Sequence, residues 1–483
     1  MSIEKKAARG VAWNMVASVG TRVVSLVGTL VLTRFIAPDE YGEVSAAVVC
    51  VATAGQLTTF AFGQYLIAKR SPPRVAFQAA VLHVALGVFA MAVVMALRGP
   101  LGEMVDAPQM GRLVPGLAIG FLLERIRHVP ERMLVRDLRF RTVAVVQSIG
   151  EVTFTGTAVA LAPRWGGAAI VIGSVARSFV TAVLFIATAP RAEWFVYSPL
   201  EAKVVRSLLG YGVPIMLGSL ADRASTSWDN LIISRQFGPG VMGPYNLSYS
   251  LAETPLTYVA ERISDVLMPA FSKMDPAERP AAVVRSAGLM SLVVSPLGVG
   301  LGAVAPTVVH AFFNERWALM APMLTILSVM TVVQPAPWAA IAYLQSERMT
   351  RVIMITSFFR AALLLALVFV LGKIGGPLWA AVGVGIGFAG HSLLTIVLTA
   401  RATAMPLAPY LTGVARPLVA CVPMFFSVTA LHGVLASRAP TPVLLASEVL
   451  AGAVVYVVSA FVFARANVRE LMSIVRGAVR KRS

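Results

Sequence analysis

The sequence predicts an all-α membrane protein with about fourteen transmembrane helices, arranged as two pseudo-symmetric lobes of six helices and two further C-terminal helices. Three observations predict this architecture. The 483-residue chain has a mean hydropathy of +0.78 and only 13% charged residues, whereas soluble proteins carry roughly 25%. Apolar runs of about 20 residues recur throughout, each long enough to cross a hydrocarbon layer of about 30 Å. A motif in the first run also reappears in the seventh.

The apolar runs give the positions of the predicted spans. Their approximate ranges are 11–33, 42–68, 75–97, 111–129, 143–162, 167–189, 207–235, 243–271, 283–311, 321–343, 352–372, 377–400, 413–436 and 443–464. Four prolines within three of these runs, Pro214, Pro255, Pro296 and Pro306, are expected to interrupt the regular helix and bend its axis, either as hinges or to shape packing.

The distribution of basic residues predicts the orientation. With the N-terminus placed in the cytoplasm, lysine and arginine concentrate in alternate connections, as cytoplasmic loops do. Both termini of this multi-pass membrane protein are then predicted to be cytoplasmic. The stretch "MSIEKKAARG" leads into a first helix that acts as its own anchor, without a cleavage site. The net charge of +18 then reflects loops facing anionic lipids and not nucleic acid.

Five residues in and just after the first span recur at a constant interval of 201 residues. The pairs are Ser18 and Ser219, Arg22 and Arg223, Arg34 and Arg235, Pro38 and Pro239, and Gly42 and Gly243. Six spans separate the copies, so the repeat is parallel. The predicted division is an N-lobe at 1–190, a cytoplasmic connection at 191–206, a C-lobe at 207–403, and spans thirteen and fourteen with an interfacial tail at 404–483. Proline and glycine are expected to end each first helix and turn the chain.

Polar residues form stripes within several spans, and Arg22 lies near the centre of the first. It is twelve residues beyond Gly10, about 18 Å along a helix, where a charge costs about 2.5–3.5 kcal/mol. Such stripes cannot all face lipid and must line a cavity or a polar seam. The stripe residues that we select as candidates are Asn14, Ser18, Arg22, Glu151, Arg177, Ser219, Asp222, Arg223, Asp229 and Glu253.

Several other patterns have simple structural explanations. The string "GIGFAG" at 385–390 follows no strand and lies in an apolar helix, where it indicates close packing and not a dinucleotide site. The arginines from Arg125 to Arg141 are expected in a loop that contacts lipid headgroups. Cys50 and Cys421 fall in apolar runs as packing residues. No catalytic motif, metal-ligand spacing or cofactor motif is present.

Four strings resemble the Wzx-type flippases, the polysaccharide-transporter branch of the multidrug/oligosaccharidyl-lipid/polysaccharide (MOP) superfamily. They are "GVAWNMVASVGTRVVSLVGTLVLTRFIAPDEYG", "RDLRFRTVAVVQSIGEV", "YGVPIMLGSLADRASTSWDNLIISRQFGP" and "RISDVLMPAFSKM". The resemblance implies two lobes forming a V around a cationic cavity, alternating access, and transfer of undecaprenyl-diphosphate-linked oligosaccharides for polysaccharide assembly. Partners would be the lipid-linked oligosaccharide, membrane lipids, and polymerase and export machinery.

The resemblance also suggests roles for the candidate residues. Cavity residues that bind substrate would be Asn14, Ser18, Arg22, Arg177, Ser219 and Arg223; coupling or gating residues would be Glu151, Asp222, Asp229 and Glu253; and residues at the outer mouth would be Arg34 and Arg235. Lipid snorkelling is an equal explanation for the outer pair. Two alternatives stay open: a cation-coupled drug or metabolite antiporter of the same superfamily, favoured by the acidic residues, and a membrane-embedded glycan polymerase or acyltransferase.

Overall fold

The computed structural model describes residues 20–21, 24–69 and 71–480, without the side chains of 261, 262, 265, 474, 475 and 477–480. The described residues form helices, with no strands among them. By packing, the chain divides into unit 1, Met1–Gly243, and unit 2, Pro244–Ser483. The predicted lobe division rests on the repeat instead, so it stays a prediction.

The helices of unit 1, with α9 continuing into unit 2, are α1 Val24–Phe35, α2 Pro38–Leu57, α3 Phe62–Ala68, α4 Pro73–Met104, α5 Met110–Arg136, α6 Phe140–Trp165, α7 Ala168–Thr188, α8 Ala202–Phe237 and α9 Pro239–Lys273. Those of unit 2 are α10 Arg279–Phe312, α11 Met320–Met330, α12 Trp338–Ser346, α13 Thr350–Gly375, α14 Pro377–Ala402, α15 Leu407–Leu435, α16 Thr441–Phe463 and α17 Arg465–Arg480.

Each predicted span coincides with one of these helices or with a broken pair of them, apart from the first, which overlaps α1 only over its described residues. Among the described residues, ten helical segments are long and apolar enough to cross a membrane, with α11 and α12 counted together as one segment. The bent pair α2 and α3 raises the number to eleven. The charged helices α5 and α9 and the short described part of α1 do not pass the same test. A helical membrane protein is therefore confirmed, while the number fourteen stays a prediction.

The helix breaks lie at positions that the sequence pattern does not predict. Helices α8, α9 and α10 continue through Pro214, Pro255, Pro296 and Pro306, because neighbouring turns of a packed helix tolerate the one hydrogen bond that each proline removes; bending at these prolines stays a prediction. The actual breaks separate α2 from α3, with a bend of 44°, and α11 from α12, where a 3₁₀ turn spans Thr331–Val333.

Close contacts through glycine explain how tightly the helices pack. On α14, a Cβ at Gly387 would lie 2.9 Å from Leu364 Cα of α13, and one at Gly390 would lie 2.6 Å from Leu363 Cδ2. The close-packing interpretation of "GIGFAG" is therefore confirmed. Both cysteines are buried in helices, Cys50 in α2 and Cys421 in α15, as packing residues are.

The repeated prolines and glycines contact one another reciprocally within unit 1. Pro38 and Pro239 begin α2 and α9, and these prolines do separate consecutive helices. The glycines do not turn the chain, contrary to expectation, because Gly42 and Gly243 lie one turn inside α2 and α9. A Cβ at Gly42 would overlap the Pro239 carbonyl, and one at Gly243 would overlap the Pro38 carbonyl. The two copies of the motif thus cross backbone against backbone.

We expect Gly42→Ala to destabilise the folded protein by about 1–3 kcal/mol, because the overlapped atom belongs to the backbone and cannot move as a side chain can. The matched control is Gly240→Ala in α9, where a Cβ meets nothing within 4 Å. Thermal unfolding of the purified protein measures both effects. Equal melting temperatures for the two variants would contradict the close backbone contact between Gly42 and Pro239.

Candidate functional site

A network of charged and polar side chains joins α5, α6 and α7 in unit 1. We call it the charge network; its members are Glu124, Arg127 and Glu131 of α5, Gln147 and Glu151 of α6, and Arg177 of α7. Arg177 lies 3.6 Å from Glu151 and 3.8 Å from Glu124. Arg127 donates to Glu131 at 2.7 Å and lies 3.9 Å from Glu124. Gln147 donates to Glu131 at 3.2 Å, so the network is continuous.

Local packing positions the network. Gly150 allows α7 to approach α6, since a Cβ there would lie 2.5 Å from Thr181 Cγ2 and 3.3 Å from Arg177 Cγ. The Arg177 guanidinium lies 5.4 Å from the centre of the Phe154 ring, and that of Arg127 lies 5.5 Å from the Phe185 ring. Both arginines therefore combine ionic and cation–π contacts.

The network changes the interpretation of two predicted residues. Arg177 is predicted to bind the substrate and Glu151 to act in coupling or gating. The structure places the two side chains 3.6 Å apart as an ion pair. Three carboxylates face two guanidinium groups, so the network as described is not cationic. The Arg177 side chain is 37% exposed, which leaves part of its guanidinium accessible. Its binding role stays a prediction.

Sequence reasoning missed the α5 members of the network. Glu124, Arg127 and Glu131 follow at intervals of three and four residues, which places them on one helical face. That spacing is visible in the sequence, but the sequence analysis places the run "ERIRHVPER" at the end of a span and in the loop that follows.

We expect Arg177→Met and Glu151→Gln to be coupled in a double-mutant cycle on thermal stability, by about 0.5–1 kcal/mol, because each variant removes the partner of the other. The partial exposure of Arg177 keeps the value small. The control pairs Arg177→Met with Glu278→Gln at an exposed site in unit 2; these two effects should add. Additivity in both pairs would mean that the Arg177–Glu151 contact contributes nothing.

A second cluster surrounds Arg125, which is only 4% exposed. Its guanidinium donates to the Gly55 carbonyl at 2.6 Å, the Thr58 carbonyl at 3.3 Å and the Thr59 hydroxyl at 2.8 Å. A ring nitrogen of His83 lies 3.1 Å away. Gly87 on α4 provides the room, since a Cβ there would lie 2.9 Å from Arg125 Cγ. Arg125 thus bonds the Thr58 carbonyl just past the end of α2 and adds a further donor to the Gly55 carbonyl, which also accepts from Thr58 N at 3.0 Å.

One expectation for this region was therefore wrong. Arg125 and Arg127 do not lie in a loop that contacts lipid headgroups, because α5 continues to Arg136 and both side chains bond within unit 1. His83 is buried and has its partner in Arg125, as a satisfied core histidine does. The long sequence separation of these partners hid the cluster.

We expect Arg125→Met to reduce stability by about 1–3 kcal/mol, because the Thr58 carbonyl loses a buried donor whereas the Gly55 carbonyl keeps the one from Thr58 N. The control is Arg112→Met, an exposed arginine of the same helix, which should change stability little. Thermal unfolding and the amount of protein in the membrane measure the effect. Wild-type stability of Arg125→Met would show that water replaces the guanidinium at the break.

Helix α8 carries the repeated half of the predicted site. Arg223 is half-buried, and its nearest described partner is the Ser227 hydroxyl at 3.5 Å; no carboxylate within the described part of the chain forms an ion pair with it. Asp222 is exposed, whereas Asp229 is fully buried and accepts from Asn230 Nδ2 at 3.3 Å. Ser219 is half-buried. Asn14, Ser18 and Arg22 lie outside the described residues.

Arg34 and Arg235 lie at the ends of α1 and α8, and both are exposed. Exposure agrees with either role considered for them, the outer mouth or lipid snorkelling.

Acidic residues at the start of α2 have a clearer function. The Glu40 carboxylate accepts from Gly167 N at 2.9 Å, where α7 begins, and Glu43 accepts from Gln109 N at 3.2 Å, where α5 begins. Both satisfy free backbone donors at helix N-termini.

In unit 2, Glu253 lies at the break between α11 and α12. Gln334 Nε2 donates to Glu253 Oε1 at 3.1 Å. The Ser392 hydroxyl donates to the Val333 carbonyl at 2.9 Å, and the Tyr410 hydroxyl donates to the Ala336 carbonyl at 2.7 Å. A coupling role for Glu253 stays a prediction. Across the described ranges, no three His, Cys, Asp or Glu side chains are placed to hold a metal ion.

Comparison with known proteins gives consistent results. A family model described as "Polysaccharide biosynthesis protein" matches residues 31–322. The chain is 26% identical to the succinoglycan biosynthesis transport protein ExoT of Rhizobium meliloti (strain 1021), over 98% of this chain and 96% of the relative. It is 24% identical to the lipopolysaccharide biosynthesis protein WzxC of Escherichia coli (strain K12), over 83% and 81% of the two chains.

The fold is also shared with solved structures. The lipid II flippase MurJ, in an inward closed conformation, has a TM-score of 0.78 at 13% identity and covers 94% of this chain and 99% of its own. An inward-facing multidrug resistance MATE family transporter of the MOP superfamily has a TM-score of 0.63 at 15% identity, over 78% and 94%. These likenesses show that the chain shares its fold with these two transporters.

Proposed function

The chain belongs to the family of polysaccharide biosynthesis proteins, and on that premise we propose that it is a secondary transporter that moves undecaprenyl-diphosphate-linked oligosaccharides across the bacterial inner membrane by alternating access. The product would be assembled into surface or exopolysaccharide. Polysaccharide polymerase and export machinery are the proposed partners. Transport and not catalysis is the proposed activity.

The observation that carries the proposal is relatedness along almost the whole chain to a protein named for polysaccharide transport. Such relatedness includes the spans that hold the polar stripes and not only an isolated motif. The remaining support is chemical, and it concerns which side chains suit an anionic diphosphate.

Arg223 is the described residue best suited to the diphosphate. A diphosphate carries about two negative charges, and a guanidinium presents a planar fork of donors that suits phosphate oxygens and keeps its charge when water is excluded. Arg223 has a hydroxyl and no carboxylate as its described partner, so its charge is not offset as that of Arg177 is. Arg22, 201 residues earlier, is the proposed second cation.

An antiporter of cationic compounds is the second candidate. Its support is Asp229, which is fully buried on α8, and the Glu253–Gln334 contact. A cationic substrate would favour such carboxylates and would be repelled by Arg223 nearby. Inward accumulation of a fluorescent cationic dye, compared with and without the protein, distinguishes this candidate from glycan transport.

We expect Arg223→Ala to lower polysaccharide export about 10- to 100-fold, because a charge-assisted hydrogen bond contributes about 1.5–3 kcal/mol. Arg223→Lys should retain partial activity, since it keeps the charge without the fork. Arg22→Ala should behave like Arg223→Ala. The measurement is the amount of lipid-linked repeat unit that accumulates on the inner leaflet.

The control for these variants is Arg206→Ala, an exposed arginine at the start of the same helix, which should export normally. All variants should insert at wild-type levels, since removing a charge from a span eases insertion. Normal export by well-expressed Arg22→Ala and Arg223→Ala proteins would refute the anionic binding site.

A further inference from the structure

Three polar side chains from three helices meet in unit 2, apart from every residue proposed to bind substrate. Thr307 belongs to α10, His432 to α15 and Glu448 to α16. His432 Nδ1 lies 2.8 Å from Glu448 Oε1, and the Thr307 hydroxyl donates to the same oxygen at 3.0 Å. Thr307 Oγ1 also lies 3.0 Å from His432 Nδ1. We call these residues the Glu448 cluster.

Burial of the Glu448 carboxylate in this position costs free energy. Its side chain is 0% exposed, and it is the only acidic residue in the sequences of α10, α15 and α16. It lies seven residues from the start of α16, about 10 Å along the helix axis. A buried carboxylate is retained when it is paired or when it has a function.

Only one of the two carboxylate oxygens has partners. Glu448 Oε2 is buried without a hydrogen bond. The groove of about 460 Å³ that Glu448 borders is otherwise lined by apolar residues, glycine and Tyr456, and the Tyr456 hydroxyl donates to the Leu292 carbonyl at 2.7 Å. Nothing there can donate to Oε2, so the carboxylate is incompletely satisfied.

The hydrogen-bond geometry fixes one proton and leaves room for a second. An ionised carboxylate only accepts hydrogen bonds, so the imidazole proton is on Nδ1 when it bonds Oε1. A neutral imidazole then leaves the pair with a net charge of −1 inside the protein. One further proton on Nε2 converts it to an imidazolium–carboxylate pair with no net charge, which low-dielectric surroundings favour.

His432 provides the route for that proton. Its side chain is 34% exposed while that of Glu448 is covered completely. His432 lies three residues before the end of α15, and Thr307 lies near the end of α10. The loop charges assign this face to the outside of the membrane. The cluster is thus positioned to exchange protons with the outer aqueous phase.

We propose that Thr307, His432 and Glu448 form a proton-binding site that takes up one proton on His432 Nε2 from the outer face. The bound proton would couple the gradient to transport, and this coupling role rests on the proposed function. An alkali cation is disfavoured, because it requires several oxygen ligands and Glu448 Oε1 is already occupied by two donors.

Few other charges are close enough to modify the site. From α10 the only other titratable residue near this end is the exposed His310, and the loop before α16 holds Arg438. Helix α15 contributes Arg416 only near its other end, and α16 contributes no other charged residue. The charges of α17 follow the far end of α16.

The test begins with a readout that does not depend on transport. The full-length protein is purified in lipid nanodiscs, and melting temperatures are measured between about pH 5.5 and 8.5 for wild type and Glu448→Gln. The variant keeps the size of the side chain and removes its charge. The wild type should exceed Glu448→Gln by more at acidic pH, because the ion pair exists only while His432 is protonated.

His432→Gln should abolish this pH-dependent difference, whereas the control His310→Gln should leave it unchanged. A difference independent of pH would refute the proton site. Stabilisation of wild type by sodium at constant pH, lost in Glu448→Gln, would refute it in favour of an alkali cation.

Transport is then measured in vesicles as the appearance of lipid-linked repeat units at the opposite leaflet, under an imposed pH gradient or an imposed sodium gradient. The pH gradient should accelerate wild type and His310→Gln but not Glu448→Gln. A full response in Glu448→Gln would refute the coupling role. Absence of transport by wild type, with the pH-dependent stability intact, would refute the proposed function and leave the proton-binding site standing.

Discussion

Hydrocarbon offers no hydrogen-bond partners, so every interruption of a helix must be satisfied by the protein itself. This constraint explains the most elaborate polar contacts in the described chain. At the break after α2, the Arg125 guanidinium donates to the Gly55 and Thr58 carbonyls. At the break after α11, the hydroxyls of Ser392 and Tyr410 donate to the Val333 and Ala336 carbonyls. Helix starts receive the carboxylates of Glu40 and Glu43. A charged side chain in a span is therefore often part of the scaffold.

The same constraint decides how the helices pack. Because lipid is as apolar as the side chains, helix contacts depend on close approach and not on the hydrophobic effect. Glycine provides that approach for α13 with α14 through Gly387, for α6 with α7 through Gly150, and for the crossing of the repeated motifs through Gly42 and Gly243. The repeat seen in the sequence thus has a physical origin: each copy supplies the space that the backbone of the other copy occupies.

The sequence predicts the class of fold well and the site only in part. Apolar runs locate the helices because span length is set by the bilayer, and "GIGFAG" identifies a contact because glycine in an apolar helix has few other uses. The break after α2 was not predictable in this way, since Thr58–Ala61 contains neither glycine nor proline and Ala61 adopts a left-handed backbone. The partners of Arg125 and Glu448 are separated from them by long stretches of sequence, which no local pattern encodes.

A criterion for function follows from which charges the protein satisfies. Arg125 has its donors filled by carbonyls, hydroxyls and an imidazole, and Arg177 shares two carboxylates, so both contribute to structure whatever else they do. Arg223 has one weak hydroxyl contact among the described residues, and Glu448 has an oxygen with none. Glu43 Oε2 and Arg127 Nε are also buried without a hydrogen bond although both residues serve the scaffold, so incomplete satisfaction supports a ligand only where a separate argument supplies one, as for Arg223 and Glu448. The basic and the acidic residue would then serve different ligands, a diphosphate and a proton.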